Sequence, residues 1–250
     1  MPAAVSFLAL RGVPEIKAGD DLAAIIRAAL RQTGLQLESG DLLVVAQKIV
    51  SKSEGRLVRL SEIAPSLEAQ ALALKVQKDP RFVELVLRES DEVLRAVPNI
   101  LITRHRCGWV MANAGIDRSN IPDAEDQVLL LPQDCDASAR RLREALAPEH
   151  PAVIISDSFG RPWREGTVNV ALGVAGYTGV LDLRGTTDRQ GRTLQSTQIA
   201  LADAVAAGAG LVMGESTEGI PVTLVRGLDF SWPLSDGQSI VRPSEGDLFR

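Results

Sequence analysis

Three carboxylates stand where short apolar segments end or where glycine-containing turns begin: Asp117, Asp157 and Glu215. Hard divalent cations take oxygen ligands, and magnesium is commonly held by one or two carboxylates together with nucleotide phosphate oxygens. Ser158, the neighbour of Asp157, adds a hydroxyl oxygen. This pattern predicts a metal site. The alternative is that each acid merely ends a strand or fixes a turn.

A second group of candidate residues follows the apolar segment that ends at Ala46. The sequence QKIVSK at 47–52 holds two of the five lysines of the chain, Lys48 and Lys52. A lysine just past a strand can reach a phosphate, but the G-x-x-x-x-G-K-[ST] spacing of a P-loop is absent. Phosphate binding is therefore predicted from charge and position alone, and an ordinary solvated face is the alternative.

Arginines form a third group. Arg161 and Arg164 lie in SDSFGRPWREG, and Arg192 ends RGTTDRQGR. A guanidinium suits bidentate capture of a carboxylate or phosphate, so these residues are candidates for binding an acidic substrate. The alternative is that Arg161 and Arg164 pair with nearby acids such as Glu165.

A small polar loop, MGESTEGIP at Met213 to Pro221, is the fourth candidate segment. Backbone N–H groups in such a loop can donate to phosphate oxygens. A lone glycine loop is a weak signal, so it favours nucleotide binding only together with the other segments.

The elements that must position these groups alternate between short strands and helices. Strands are predicted at 5–10, 41–46, 100–105, 109–113, 152–155 and 221–225, and helices at 21–31, 66–88 with a break at Asp79-Pro80, 134–146 and 197–207. A polar turn-rich patch follows Ala46, and a glycine-rich stretch covers 166–185. This order predicts an α+β, or mixed α/β, fold that is too irregular for a doubly wound parallel sheet.

Residues 1–250 are predicted to form one domain, with room for two subdomains but no linker that marks a boundary. Residues 230–250 read as a weakly ordered tail. The net charge of −5 lacks the basic excess of a nucleic-acid binder. No apolar run is long enough to span a membrane. With two cysteines and no export signal, the chain is predicted to be cytoplasmic.

Five ordered segments between Leu10 and Leu228 carry a resemblance to a known family. They are RGVPEIKAGDDL, GDLLVVAQKIVSKSEGR, ANAGIDRSN, VIISDSFGRPWREG and MGESTEGIPVTLVRG. Together they resemble the GTP-dependent ligases that add glutamate to the deazaflavin cofactor F-420. The likeness is to the stand-alone form, because 250 residues leave no room for the oxidoreductase-like domain that follows in some bacterial relatives.

The resemblance implies a homodimer of unusual mixed α/β fold. It also implies addition of L-glutamate in γ-linkage to the precursor F-420-0, with GTP as co-substrate, two Mg²⁺ or Mn²⁺ ions and K⁺. The activated species would be an acyl phosphate. The alternative function is a metal-dependent GTP hydrolase or phosphatase that uses the same carboxylates to activate water; a nucleotide-binding sensor without chemistry is a third reading.

The resemblance further implies roles for single residues. The metal ligands would be Asp117, Asp157, Ser158 and Glu215. The nucleotide contacts would be Val13, Pro14, Glu15, Ile16, Gln47, Lys48, Lys52, Asn120, Met213, Gly214, Glu215, Ser216, Thr217, Glu218, Gly219 and Ile220. We assign catalytic roles to Lys52, Asp157 and Arg161.

Overall fold

The computed structural model describes residues 4–121 and 123–247. The chain divides into two compact units. The first unit comprises Met1–Glu15, Asp20–Val50 and Asp134–Ile240, and the second comprises Ile16–Gly19, Ser51–Gln133 and Val241–Arg250.

The chain forms twelve strands and six α-helices among the described residues, and the two kinds of element hold similar numbers of residues. The strands are β1 (Ser6–Ala9), β2 (Leu42–Ala46), β3 (Leu57–Arg59), β4 (Ser90–Val97), β5 (Ile100–His105), β6 (Val110–Ala112), β7 (Gln127–Leu129), β8 (Ala152–Arg161), β9 (Arg164–Ala175), β10 (Val180–Asp182), β11 (Gln198–Ala200) and β12 (Val222–Arg226). The α-helices are α1 (Leu22–Thr33), α2 (Gln47–Ser53), α3 (Leu67–Val76), α4 (Pro80–Arg88), α5 (Cys135–Ala145) and α6 (Leu201–Met213). Short 3₁₀ helices lie at Leu60–Glu62, Asn113–Gly115, Gly237–Ile240 and Ser244–Gly246. No helix in the described part of the chain combines the length and apolar content needed to cross a membrane.

A five-stranded mixed sheet forms the centre of the first unit, in the order β1-β12-β2-β8-β9. Only β2 and β8 run parallel; the other neighbours are antiparallel. Val44 and Ile154, with no exposed surface, pack in one cluster with the buried side of α6. Helix α5 contacts β8 and β9. The central strands are apolar throughout because both faces of the sheet are covered.

The pairing of β8 with β9 is interrupted by a β-bulge. Ile155 pairs with Gly173, but the next residue, Ser156, pairs with Ala171. Leu172 is therefore an extra residue in β9, and the alternation of side chains along β9 shifts by one position relative to β8.

Two carboxylates, one half-buried (Asp203) and one buried (Asp136), accept backbone N–H groups beside this bulge. Asp203 of α6 accepts from the amide of Ala171 at 2.9 Å. Asp136 of α5 accepts from the amide of Val174 at 2.7 Å and from that of Gly237 at 2.8 Å. Burial raises the pKa of both carboxyl groups. Each carboxylate thus pairs with backbone donors near the bulge, as buried backbone groups require.

The second unit has two small sheets, β3-β7 and β4-β5-β6, packed with α3 and α4. An ionic cluster surrounds Glu89 at the end of α4. Its Oε2 lies 2.9 Å from Arg56 Nη2, 3.0 Å from Arg106 Nη2 and 3.7 Å from Nε2 of the fully buried His105. Burial raises the pKa of Glu89, but His105 and the two guanidiniums together lower it further than burial raises it. The carboxylate is therefore charged and tied to three segments of the unit.

Several sequence predictions are confirmed. The protein is mixed α/β, with no doubly wound parallel sheet among the described residues. Segment 66–88 is two helices, because Asp79 caps α4 by accepting from the Arg81 amide and Pro80 takes the first helical position. The apolar segments at 100–105 and 109–113 do pair, as β5 with β6.

Four local predictions are wrong. The patch after Ala46 is helix α2, not a turn region. Strand β8 does not end at Ile155 but continues to Arg161, and β9 occupies much of the glycine-rich stretch, because the two polar segments pair with each other as a long hairpin. The helix predicted at 197–207 begins at Leu201 and runs to Met213, since Gln198–Ala200 pair with β10.

Helices α3 and α4 are joined by one buried carboxylate. Glu84 of α4 accepts from the amide of Ser66, the N-cap of α3, at 2.9 Å and from Arg88 Nε at 2.8 Å. The hydrogen bonds from Ser66, followed by that from Arg88, lower the pKa of Glu84 to about 2. The charged form is thus the one that the fold prefers.

We expect Glu84→Gln to lower the free energy of unfolding by about 1–3 kcal/mol at neutral pH, because the amide oxygen accepts more weakly than the carboxylate. The folded pKa is depressed, so the contribution of Glu84 is complete above its ordinary pKa and is lost as the pH falls toward 2. In urea unfolding, the difference between wild type and variant should therefore shrink on going from neutral pH to about pH 3. Glu62→Gln, at an exposed position, is the control and should change stability little. A wild-type-to-variant difference that does not depend on pH would contradict the assignment.

Candidate active site

The parallel pairing of β2 with β8 ends at Ala46 and Ser156, where β2 reaches its carboxyl end and β8 continues to Arg161. Ligands of open α/β sheets bind outside the carboxyl ends of parallel strands. The residue after β2, Gln47, is 2% exposed, and Ser156 is 1% exposed. Among the described residues, Ser156 Oγ has no hydrogen-bond partner. Buried polar side chains therefore begin where the β2–β8 pairing ends. The sequence analysis did not single out Ser156, although a hydroxyl residue directly after four apolar residues could have pointed to it.

Two of the four predicted metal ligands meet in the first unit. Ser158 Oγ donates to Glu215 Oε2 at 2.8 Å. Ser158 is held on β8, and Glu215 follows the end of α6. Helix α6 stops there because Gly214 adopts φ +71°, a backbone conformation that favours glycine. Strand and helix end together present two oxygen donors at one point.

In the loop that follows Gly214, the second acidic residue, Glu218, is hydrogen-bonded within the loop itself. Glu218 Oε2 accepts from the amide of Ser216 at 2.8 Å. Its own backbone amide and that of Ser216 lower the pKa of Glu218. Both Glu215 and Glu218 are exposed, but Glu218 closes the loop on itself, whereas Glu215 turns toward Ser158.

Asp157 and Arg161 lie further along the β8–β9 hairpin. Asp157 is half-buried and pairs with Val170, and it lies on the opposite face of β8 from Ser158 because side chains alternate along a strand. Arg161 pairs with Arg164 across the turn, where Trp163 is 81% exposed. Both predicted residues therefore belong to the hairpin that leaves the core of the first unit.

Asp117 lies in the second unit, where backbone and side chain are both fixed. Its amide donates to Leu129 O at 3.0 Å, and its carbonyl accepts from the Leu129 amide at 2.9 Å. Its carboxylate accepts from the amide of Ser119 at 2.7 Å and from Ser119 Oγ at 3.2 Å. The carboxylate thus has a defined direction before any ligand binds.

A left-handed turn precedes Asp117. Asn113, Ala114 and Gly115 have φ values of +53°, +54° and +71°, and the amide of Ile116 donates to Asn113 O at 3.0 Å. A left-handed alanine costs about 1 kcal/mol, and Ala114 is only 1% exposed. The buried packing of its methyl group offsets this strain.

Lys52 contacts a loop carbonyl: its Nζ donates to the backbone oxygen of Asn120 at 2.9 Å, within the second unit. Ile16, also of the second unit, is 4% exposed, so its side chain is part of the core. In the first unit, Val13 is half-buried while Pro14 and Glu15 are exposed. The predicted nucleotide contacts thus differ in accessibility.

Within the described residues, neither unit taken by itself groups three His, Cys, Asp or Glu side chains that could hold a metal. The first unit instead offers the Ser158–Glu215 pair. All donors are oxygens, and oxygens are the ligands that magnesium and manganese take.

Comparisons with known proteins match the chain to a class of enzymes, the ligases that form γ-glutamyl bonds. The family model described as F420-0:Gamma-glutamyl ligase matches residues 12–227. The chain therefore belongs to the F420-0:gamma-glutamyl ligase family.

Individual relatives agree over almost the whole length. A protein of Methanothermobacter thermautotrophicus named Coenzyme F420:L-glutamate ligase is 45% identical over 98% of this chain and 99% of its own. Proteins of the same name from Methanopyrus kandleri and Methanocaldococcus jannaschii are 43% and 42% identical, over 94% and 86% of each chain respectively.

The Lys52 contact makes a prediction that needs no ligand. Lys52→Met should lower the free energy of unfolding by about 1 kcal/mol, because Asn120 O loses a charged donor, and should speed amide hydrogen exchange in 117–121. Lys52→Arg keeps a donor and is the matched control. Unchanged exchange in Lys52→Met would show that the contact does not hold the loop.

Proposed function

We propose that the protein is a GTP- and divalent-metal-dependent ligase. It would add L-glutamate in γ-linkage to the deazaflavin precursor F-420-0 and extend the resulting tail. The family membership and the names of relatives that align over nearly the full chain support the substrates. The observation that carries the site is the Ser158–Glu215 pair, which lies just past the end of the β2–β8 pairing.

The residues present fit a hard divalent cation. Ser158 and Glu215 already share a hydrogen bond. A cation between them could replace this hydrogen bond with one oxygen–metal bond to each residue. The sequence resemblance also implies, as ligands, Asp157, which lies on the opposite face of β8 from Ser158, and Asp117 of the second unit. When bound, Mg²⁺ or Mn²⁺ would neutralise charge on the phosphate oxygens during phosphoryl transfer.

The reaction has to activate a carboxylate, which is a poor electrophile in water. The terminal carboxylate of the precursor would attack the γ-phosphorus of GTP, forming an acyl phosphate and releasing GDP. The glutamate amine would then attack the acyl carbon; a C–N bond forms, phosphate leaves, and the amine loses a proton. Positioning and charge stabilisation are the main contributions that a protein makes to such transfers.

Basic side chains would bind the anionic reactants. Lys48, in the first turn of α2, follows the edge at which Ser156 lies, which supports a phosphate contact. Arg161 would hold a carboxylate of the precursor or of glutamate. Because the net charge is −5, such positive charge must act locally.

The proposal includes a homodimer and stimulation by K⁺, as the sequence resemblance implies, and a cytoplasmic location, as the cysteine content and the absence of an export signal predict.

The direct test incubates the protein with the deazaflavin precursor, GTP, Mn²⁺ and glutamate and follows the product by mass spectrometry. An added glutamyl mass is expected. GTP hydrolysis that is fast without glutamate and precursor would favour the hydrolase instead, and GTP binding without phosphate release in any mixture would indicate a sensor.

Asp157→Asn should reduce glutamyl transfer at least about 100-fold while the circular dichroism spectrum stays that of the wild type, because a neutral amide neutralises less metal charge. Glu165→Gln, an exposed residue of the same hairpin, is the matched control and should keep full activity. Wild-type turnover by Asp157→Asn would remove Asp157 from the site.

A further inference from the structure

One polar residue interrupts the apolar half of β9. Asn169 lies between Val168 and Val170 and is only 8% exposed. The β-bulge pairs it directly with Ser158; without the extra residue, Val170 would take that place. The fold therefore puts a buried amide next to a predicted metal ligand, on the same face of the sheet.

Helix α6 is shaped to admit this amide. A Cβ atom on Gly210 would lie 2.6 Å from Asn169 Oδ1 and 2.8 Å from Asn169 Cγ, so any other residue at 210 would require the Asn169 amide to shift. Gly210 belongs to the last turns of α6, and Glu215 follows directly after the helix end. Asn169 thus packs against the helix end from which Glu215 emerges.

The surroundings of Asn169 are rich in oxygen, and buried polar groups are almost always paired. Ser156, two residues before Ser158 on the same face, has a buried hydroxyl that lacks a partner among the described residues. The carbonyl end of α6 adds partial negative charge. Such surroundings favour a cation or its bound water over an anion.

We infer that Asn169 is a further residue of the Ser158–Glu215 site, where Oδ1 binds the divalent cation directly or through one water. This rests on the proposed function, because it assumes that the pair holds a cation. Gly210 has a supporting role: it leaves the space in which Asn169 can face the cation.

The test measures Mn²⁺ binding by isothermal titration calorimetry without nucleotide, glutamate or precursor. Asn169→Leu, which keeps the volume but removes the oxygen, should weaken Mn²⁺ binding roughly tenfold, as losses around a metal site commonly do. Thr167→Ala is the matched control on the same strand and face, two residues further out, and should bind like the wild type. Unchanged affinity in Asn169→Leu would overturn the inference.

A second variant guards against misfolding. Asn169→Asp is nearly isosteric and adds a charged oxygen, so its thermal midpoint should rise more on adding Mn²⁺ than that of the wild type. An equal or smaller rise would count against a cation contact.

Ser158→Ala and Glu215→Gln separate the two proposals. If they weaken Mn²⁺ binding and Asn169→Leu does not, only the role of Asn169 fails. If neither weakens it, the metal site of the proposed function fails as well.

Discussion

The β-bulge at Leu172 is the local constraint on which the site of the first unit depends. Strand β9 carries an extra residue and lies at the edge of the sheet, and Asp203 and Asp136 accept from the backbone amides of Ala171 and Val174 on either side of that residue, from two different helices. A buried amide without an acceptor would cost about 1–3 kcal/mol. The two carboxylates therefore stabilise one register of the hairpin against the regular alternative, and that register decides which side chains stand beside Ser158.

Acidic side chains in this unit divide into two kinds, and the surroundings of each explain its use. Asp136 is buried and Asp203 is half-buried, both have raised pKa values, and both accept from backbone donors. Glu215 is exposed and contacts a hydroxyl, an arrangement that a cation can replace at low cost. Glu218, three residues further on, is committed to Ser216. Glu215 is therefore the acidic residue best suited to bind a cation, because its side chain contacts a hydroxyl and not a backbone amide.

Sequence alone predicted the boundary between α3 and α4, which depends on local chemistry. Asp79-Pro80 broke one helical pattern into two, because the capping carboxylate and the missing proline donor act within a few residues. The family resemblance, carried by five ordered segments, also holds. The sequence alone could not predict that SDSFGR continues as a strand, since only pairing with β9 makes that polar segment extended. Asn169 and Gly210 were missed for the same reason: each is unremarkable until the bulge and α6 bring them together.

In the second unit, the predicted metal-ligating residue Asp117 is held in place in a different way. Asp117 sits after a turn in which Ala114 is strained, and strain persists only where the surroundings over-determine it. Here they do: the Ala114 methyl is buried, and both backbone groups of Asp117 are bonded to Leu129. Relaxing the turn would break the bridge to β7, so the aspartate cannot drift away from its direction without disturbing the core. A carboxylate held in this way loses little further freedom when it binds a ligand, which is the advantage that preorganisation gives to a binding site.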